Sequence, residues 1–98
     1  MALTCRAHFD GLCEQFGNHL PGLDVFPWDP MRAIKRYGTA SHGERLVLAF
    51  LLGVWNPSTD WSKECKSFQR FDLFEAGQAL EHELLAVIAE WLRAPRFP

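Results

Sequence analysis

The sequence predicts an all-α fold, with one helical domain over residues 1–98 and about four helices. Apolar residues recur at intervals of three and four along most of the chain, and the alternation typical of strands is nearly absent. The 48% hydrophobic content, against 22% charged residues, is typical of a globular chain. Ninety-eight residues are enough for one hydrophobic core and too few for a second domain.

The first two predicted helices are recognised by their caps and by one apolar face. The first spans residues 4–17, with Thr4 as its N-cap. Its apolar face comprises Cys5, Phe9, Leu12, Phe16 and Leu20. The second spans residues 30–37, because Asp29 is a typical N-cap and Pro30 suits the first helical position.

The third predicted helix, residues 42–55, follows a cluster of polar side chains. Ser41 and Glu44 have the spacing of a capping box, in which the serine oxygen and the glutamate each accept a backbone N–H of the other residue. From Leu46 onward this helix is apolar on every side, so we expect it at the centre of the domain. Ser41, His42 and Glu44 also resemble the parts of a hydrolytic triad, but neighbouring residues that enter a helix point in different directions. We therefore predict a cap and no catalytic site.

The fourth predicted helix is a long amphipathic one over residues 72–93. Asp72 and Glu75 repeat the capping-box spacing. A stripe of apolar positions follows: Leu73, Gly77, Leu80, Leu84, Val87 and Trp91. Such a stripe can line a bundle core or form the seam of a homodimer, and the sequence leaves both open. The preceding polar connection, residues 56–70, has room for one helical turn after Asp60.

Charge and cysteine content exclude several classes of protein. The net charge is −2, which gives no strong field toward nucleic acid or membranes. The charge is uneven: residues 1–71 carry eight basic and seven acidic side chains (+1), and residues 72–98 carry two and five (−3). Three cysteines without CxxC spacing suit reduced thiols in a cytoplasmic protein. The longest apolar run, residues 46–55, is about half of a bilayer span, so we expect no membrane segment.

Aromatic and acidic residues are the predicted partner-binding site. Four Trp and eight Phe are more than a minimal bundle core needs, and several lie in segments without helical spacing. Trp28 and Trp61 are our aromatic candidates, since such residues often anchor protein interfaces. Glu81 and Glu83, on the acidic last helix, are expected to attract a basic partner.

A basic patch on the second helix supports an alternative function. Its members are Arg32, Lys35, Arg36 and Arg45. Two helices joined by a short turn resemble a helix-turn-helix in outline, and the patch would then contact nucleic acid. Against this, the helix after Arg45 is apolar, whereas a recognition helix presents polar side chains to base edges.

The sequence favours a non-enzymatic protein-protein interaction module. We predict no cofactor. We also predict no metal site, because Cys5, His8 and Cys13 do not share one helix face. Small size and the lack of a diagnostic motif suggest an accessory or inhibitor protein of a bacterial mobile element. The alternative is a small nucleic-acid-associated regulator that uses the basic patch.

Overall fold

A computed structural model describes residues 5–98, and every regular element in that range is helical. The elements are α1 (Cys5–His19), α2 (Pro30–Tyr37), α3 (His42–Trp55), α4 (Leu73–Ala79) and α5 (His82–Arg93). Single 3-10 turns occupy Pro21–Leu23 and Trp61–Lys63. The second turn, capped by Asp60, lies in the polar connection where the sequence left a helical turn open. The all-α prediction is confirmed, and the radius of gyration of 12.5 Å is that of one domain of about 100 residues.

Helix α3 forms the centre of the molecule, as its apolar sequence predicts. It packs against α1, α2 and α4. Its buried residues are Leu46, Val47, Leu48, Ala49, Phe50, Leu51, Leu52 and Val54. Phe50 joins two other helices, because its ring lies 6.0 Å from that of Phe16 in α1 and 5.3 Å from that of Trp91 in α5. A helix without a polar side is stable here because other elements surround it.

The predicted caps of α2 and α3 are present. At α3, Ser41 Oγ accepts the backbone N–H of Glu44 (3.4 Å), and the Ser41 N–H donates to Glu44 Oε1 (2.9 Å), which completes the capping box. At α2, Asp29 Oδ1 accepts the Met31 N–H at 3.0 Å. Both helices have the predicted bounds. Thr4 lies outside the described residues, and α1 continues two residues beyond its predicted end.

The long helix predicted over residues 72–93 is two helices. Leu80 has extended backbone angles (φ −90°, ψ 146°) and ends α4, and Glu81 is the N-cap of α5. The interruption allows α4 to pack on α3 while α5 packs on α1. Leu80 itself is buried beside the first turn of α3, near Gly43. The burial of this side chain and the separate packing of two short helices explain why one straight helix does not form.

The chain between the second 3-10 turn and α4 is attached to the end of α2. Tyr37 is buried, and its ring lies 5.0 Å from that of Phe68. The Gln69 N–H donates to the Tyr37 hydroxyl at 3.0 Å. These two contacts place residues 67–70 beside the first turns of α3, where they line a polar cavity described below.

Candidate functional site

An apolar groove of about 290 Å³ lies between α3, the start of α4 and the end of α5. Phe50, Val54 and Trp91 are buried residues that line it. Three further apolar residues of its lining, Leu73, Leu92 and Phe97, are 45–50% exposed. Gly53 and Phe71 complete the lining. Grouped apolar side chains that stay exposed often mark a surface for a protein partner or ligand.

Aromatic contacts give the groove a defined shape. Around Phe50, the ring of Phe71 lies at 5.1 Å and that of Trp91 at 5.3 Å, both in edge-to-face orientation. Phe97 continues the series at 5.4 Å from Trp91. The Trp91 indole N–H donates to the Arg96 carbonyl at 3.2 Å, so the segment after α5 folds back over the helix. The groove is therefore formed in the unbound chain.

Sequence analysis did not identify the groove. Leu73 belongs to the predicted apolar stripe, and no feature of the spacing distinguishes it from buried members such as Leu84. Phe97 follows the last helix, where no periodicity assigns it to a face. The available signal was the excess of aromatic residues over the needs of a small core.

The two predicted aromatic anchors are mostly buried. Trp28 is 7% exposed and Trp61 is 8% exposed, so a partner can reach only a small part of each. Trp28 packs edge-to-face on Phe9 at 5.1 Å. Trp61 lines a cavity of about 200 Å³ that shares Gly53 and Phe71 with the apolar groove. Partner binding by these two residues stays a prediction, and Trp61 is the one placed next to the groove.

The two predicted acidic residues lie at the other end of α5 from the groove. Glu81 and Glu83 are exposed near the start of α5, and Leu92 lies in its last turn. His82 and Leu92 are ten positions apart along the helix, which corresponds to a rise of about 15 Å. The acidic pair therefore flanks the groove at a distance and does not line it.

The basic patch is partly neutralised by neighbouring carboxylates. Its four residues are Arg32, Lys35, Arg36 and Arg45. Arg32 pairs with Asp24 (Nε to Oδ2, 3.4 Å) and Arg36 with Glu44 (Nη2 to Oε2, 3.1 Å). Arg45 donates to two backbone carbonyls at the end of α2. These contacts leave Lys35 as the exposed cation of the patch, which weakens the case for phosphate-backbone binding on this face.

The side chains of the triad-like cluster have structural partners. Glu44 accepts the Ser41 N–H, and this backbone hydrogen bond is the main reason why the pKa of Glu44 lies below its ordinary value. His42 Nε2 lies 3.0 Å from Glu75 Oε1 and so joins α3 to α4. Glu75 contacts His42, while Asp72 alone caps α4 by accepting the N–H groups of Phe74 and Glu75.

Comparison with known proteins finds no matching family model, no similar curated protein and no similar solved structure. Within residues 5–98, no group of three or more His, Cys, Asp or Glu side chains is arranged to hold a metal ion. None of the helices in this part of the chain has the length and apolar character that crossing a membrane requires. A functional proposal therefore rests on the geometry of this chain alone.

Proposed function

We propose that the chain is a non-enzymatic protein-protein interaction module whose apolar groove receives apolar side chains of a protein partner. The observation that carries the proposal is the half-exposed rim of Leu73, Leu92 and Phe97 around a buried aromatic floor. Burial of these side chains by a partner would remove apolar surface from water, at about 25 cal/mol per Å². The volume of the groove, about 290 Å³, is close to the lower end of the range for ligand pockets in proteins.

The partner chemistry that fits best is an amphipathic helix with basic residues beside its apolar anchors. Helices commonly bind grooves by inserting side chains from one face. Residues 72–98 carry a net charge of −3, which favours basic partners and disfavours acidic ones. Glu81 and Glu83 would speed the encounter without lining the groove. The same charge opposes pairing of two copies through this surface, although a homodimer remains the alternative occupant.

A pull-down from the source organism, followed by affinity measurements on two matched variants, tests this proposal. Leu92→Glu places a charge on the groove rim. Met31→Glu places the same charge on α2, away from the groove, at a residue that is 55% exposed. We expect Leu92→Glu to weaken binding to the recovered partner at least about tenfold, and Met31→Glu to change it less than about twofold. Thermal unfolding of both variants controls for loss of structure.

Equal effects of the two variants would contradict the groove as the binding surface. A salt-sensitive shift with duplex DNA, lost on substitution of Lys35 and Arg36, would favour the nucleic-acid alternative instead. Light scattering of the free chain tests the homodimer.

The proposed role as an accessory or inhibitor protein of a bacterial mobile element rests only on small size and the lack of a diagnostic motif. The identity of the recovered partner would decide it.

A further inference from the structure

A second cavity, of about 110 Å³, lies where the end of α2 meets the first turns of α3 and residues 67–70. We call it the polar pocket. The side chains that matter for its chemistry are Tyr37, His42, Arg45, Ser67, Arg70 and Glu75. The pocket is separate from the apolar groove, since no residue lines both. It also has the opposite character, with two guanidinium groups and an imidazole around one small space.

The arginines of this pocket differ from most others in the chain. Of the seven arginines, four form ion pairs: Arg6 with Asp10, Arg32 with Asp24, Arg36 with Glu44, and Arg93 with Glu90. Among the described residues, Arg45, Arg70 and Arg96 have no carboxylate within 4.0 Å. Two of these three line the polar pocket. The pocket therefore holds two guanidinium groups that form no ion pair, although Asp60 is close enough to Arg70 for an electrostatic interaction.

Arg45 is held in one orientation by the end of α2. Its Nε donates to the Tyr37 carbonyl at 3.1 Å and its Nη2 to the Gly38 carbonyl at 3.2 Å. The guanidinium also lies over the Tyr37 ring, 5.0 Å from the centroid. Because Nη1 takes part in neither bond, its N–H groups remain for a ligand. The hydrogen bond from the Gln69 N–H to the Tyr37 hydroxyl fixes the backbone next to Arg70 on the facing wall.

The one carboxylate of the pocket, Glu75, already has a partner in His42. We infer that the polar pocket binds the phosphate group of a small phosphomonoester. Arg45 and Arg70 supply guanidinium donors from separate parts of the chain, and Ser67 adds a hydroxyl that also contacts Cys65 Sγ at 3.2 Å. Several donors suit the three acceptor oxygens of a phosphate better than the two of a carboxylate. A cavity of about 110 Å³ has the volume of three to four water molecules, so it admits the phosphate and leaves the rest of the ligand outside.

A titration with O-phosphoserine, using serine and acetate as controls, tests the inference on the full chain. Binding is measured by calorimetry and by NMR shifts of the Gln69 amide. Arg70→Gln removes an exposed guanidinium from the pocket, and Arg96→Gln makes the same charge change outside it. We expect O-phosphoserine to bind, Arg70→Gln to weaken binding at least about tenfold, and Arg96→Gln to change it less than about twofold.

Three results would overturn the inference. The first is no binding of O-phosphoserine by the wild-type chain at millimolar concentration. The second is binding of acetate as tight as that of O-phosphoserine, which would indicate a carboxylate site. The third is equal weakening by Arg70→Gln and Arg96→Gln, which would indicate attraction by net charge alone. None of these results bears on partner binding by the apolar groove.

Discussion

The capping box at the start of α3 consists of two reciprocal hydrogen bonds of different length, and Ser41→Ala removes the longer one. Ser41 Oγ accepts the Glu44 N–H at 3.4 Å, which is beyond the usual range for a strong N–H to oxygen bond. Removal of an N-cap serine costs about 0.5–2 kcal/mol of stability. The long distance places Ser41→Ala in the lower half of that range, at about 0.5–1 kcal/mol.

Glu44→Ala is expected to cost more, at about 1–2 kcal/mol, because it removes two shorter contacts of an ionised group. Glu44 accepts the Ser41 N–H at 2.9 Å and pairs with Arg36 at 3.1 Å. The same hydrogen bond lowers the pKa of Glu44 below its ordinary value of 4.5. This stabilisation is therefore complete above about pH 4.5 and is lost as the pH falls through the lowered pKa.

Urea unfolding, followed by tryptophan fluorescence at about pH 7 and about pH 3, measures both costs. We expect Glu44→Ala to lose more stability than Ser41→Ala at neutral pH, and its disadvantage to shrink in acid. If Ser41→Ala lost more stability than Glu44→Ala at neutral pH, the ranking of the two costs by hydrogen-bond length would be wrong. If Ser41→Ala kept its stability but lost a hydrolytic activity that the wild-type chain shows, the capping role would be refuted and the catalytic interpretation of Ser41 restored.

Three further predictions concern the core, α4 and the thiols. Leu51→Ala should cost about 2–5 kcal/mol in urea unfolding, because the side chain is fully buried in α3; a cost below about 1 kcal/mol would contradict its central position. Gly77→Ala should raise stability by about 0.5–1 kcal/mol, because Gly77 is an exposed helical residue and a Cβ added there would have no atom within 4 Å. A loss of stability would contradict α4 as described. Burial raises the pKa of the Cys13 thiol to about 12, whereas Cys5 is exposed. After treatment with iodoacetamide at about pH 8, mass spectrometry should therefore find Cys5 modified and Cys13 unmodified. Equal labelling of both thiols would contradict the packing of α1.

Local signals in the sequence were sufficient for the helices that begin with a strong cap. Asp29 with Pro30 and Ser41 with Glu44 determine the starts of α2 and α3, because each cap is made by residues within three positions of one another. The central place of α3 could also be predicted, since a helix without a polar face is stable only when it is enclosed. The chemistry of these features does not depend on distant parts of the chain.

Features that depend on tertiary packing could not be predicted in this way. Leu80 and Leu84 are four residues apart, the spacing of one continuous helix, although the backbone is extended at Leu80 and Glu81. The groove has the same origin. Leu73 belongs to the predicted apolar stripe and Leu92 follows its last member, Trp91, and only the arrangement of neighbouring helices leaves both leucines half exposed. The polar pocket needs Arg45 and Arg70, which are 25 residues apart in the sequence and meet only in the fold.

Hydrogen-deuterium exchange of the chain, alone and with the partner recovered by pull-down, tests the apolar groove as the binding surface most directly. Exchange reports which backbone segments become protected in the complex. We expect new protection in residues 71–74 and 91–97, which carry the exposed side chains of the groove, and little change in α2. Protection concentrated in residues 30–45, with exchange at the groove unchanged, would contradict the proposed function.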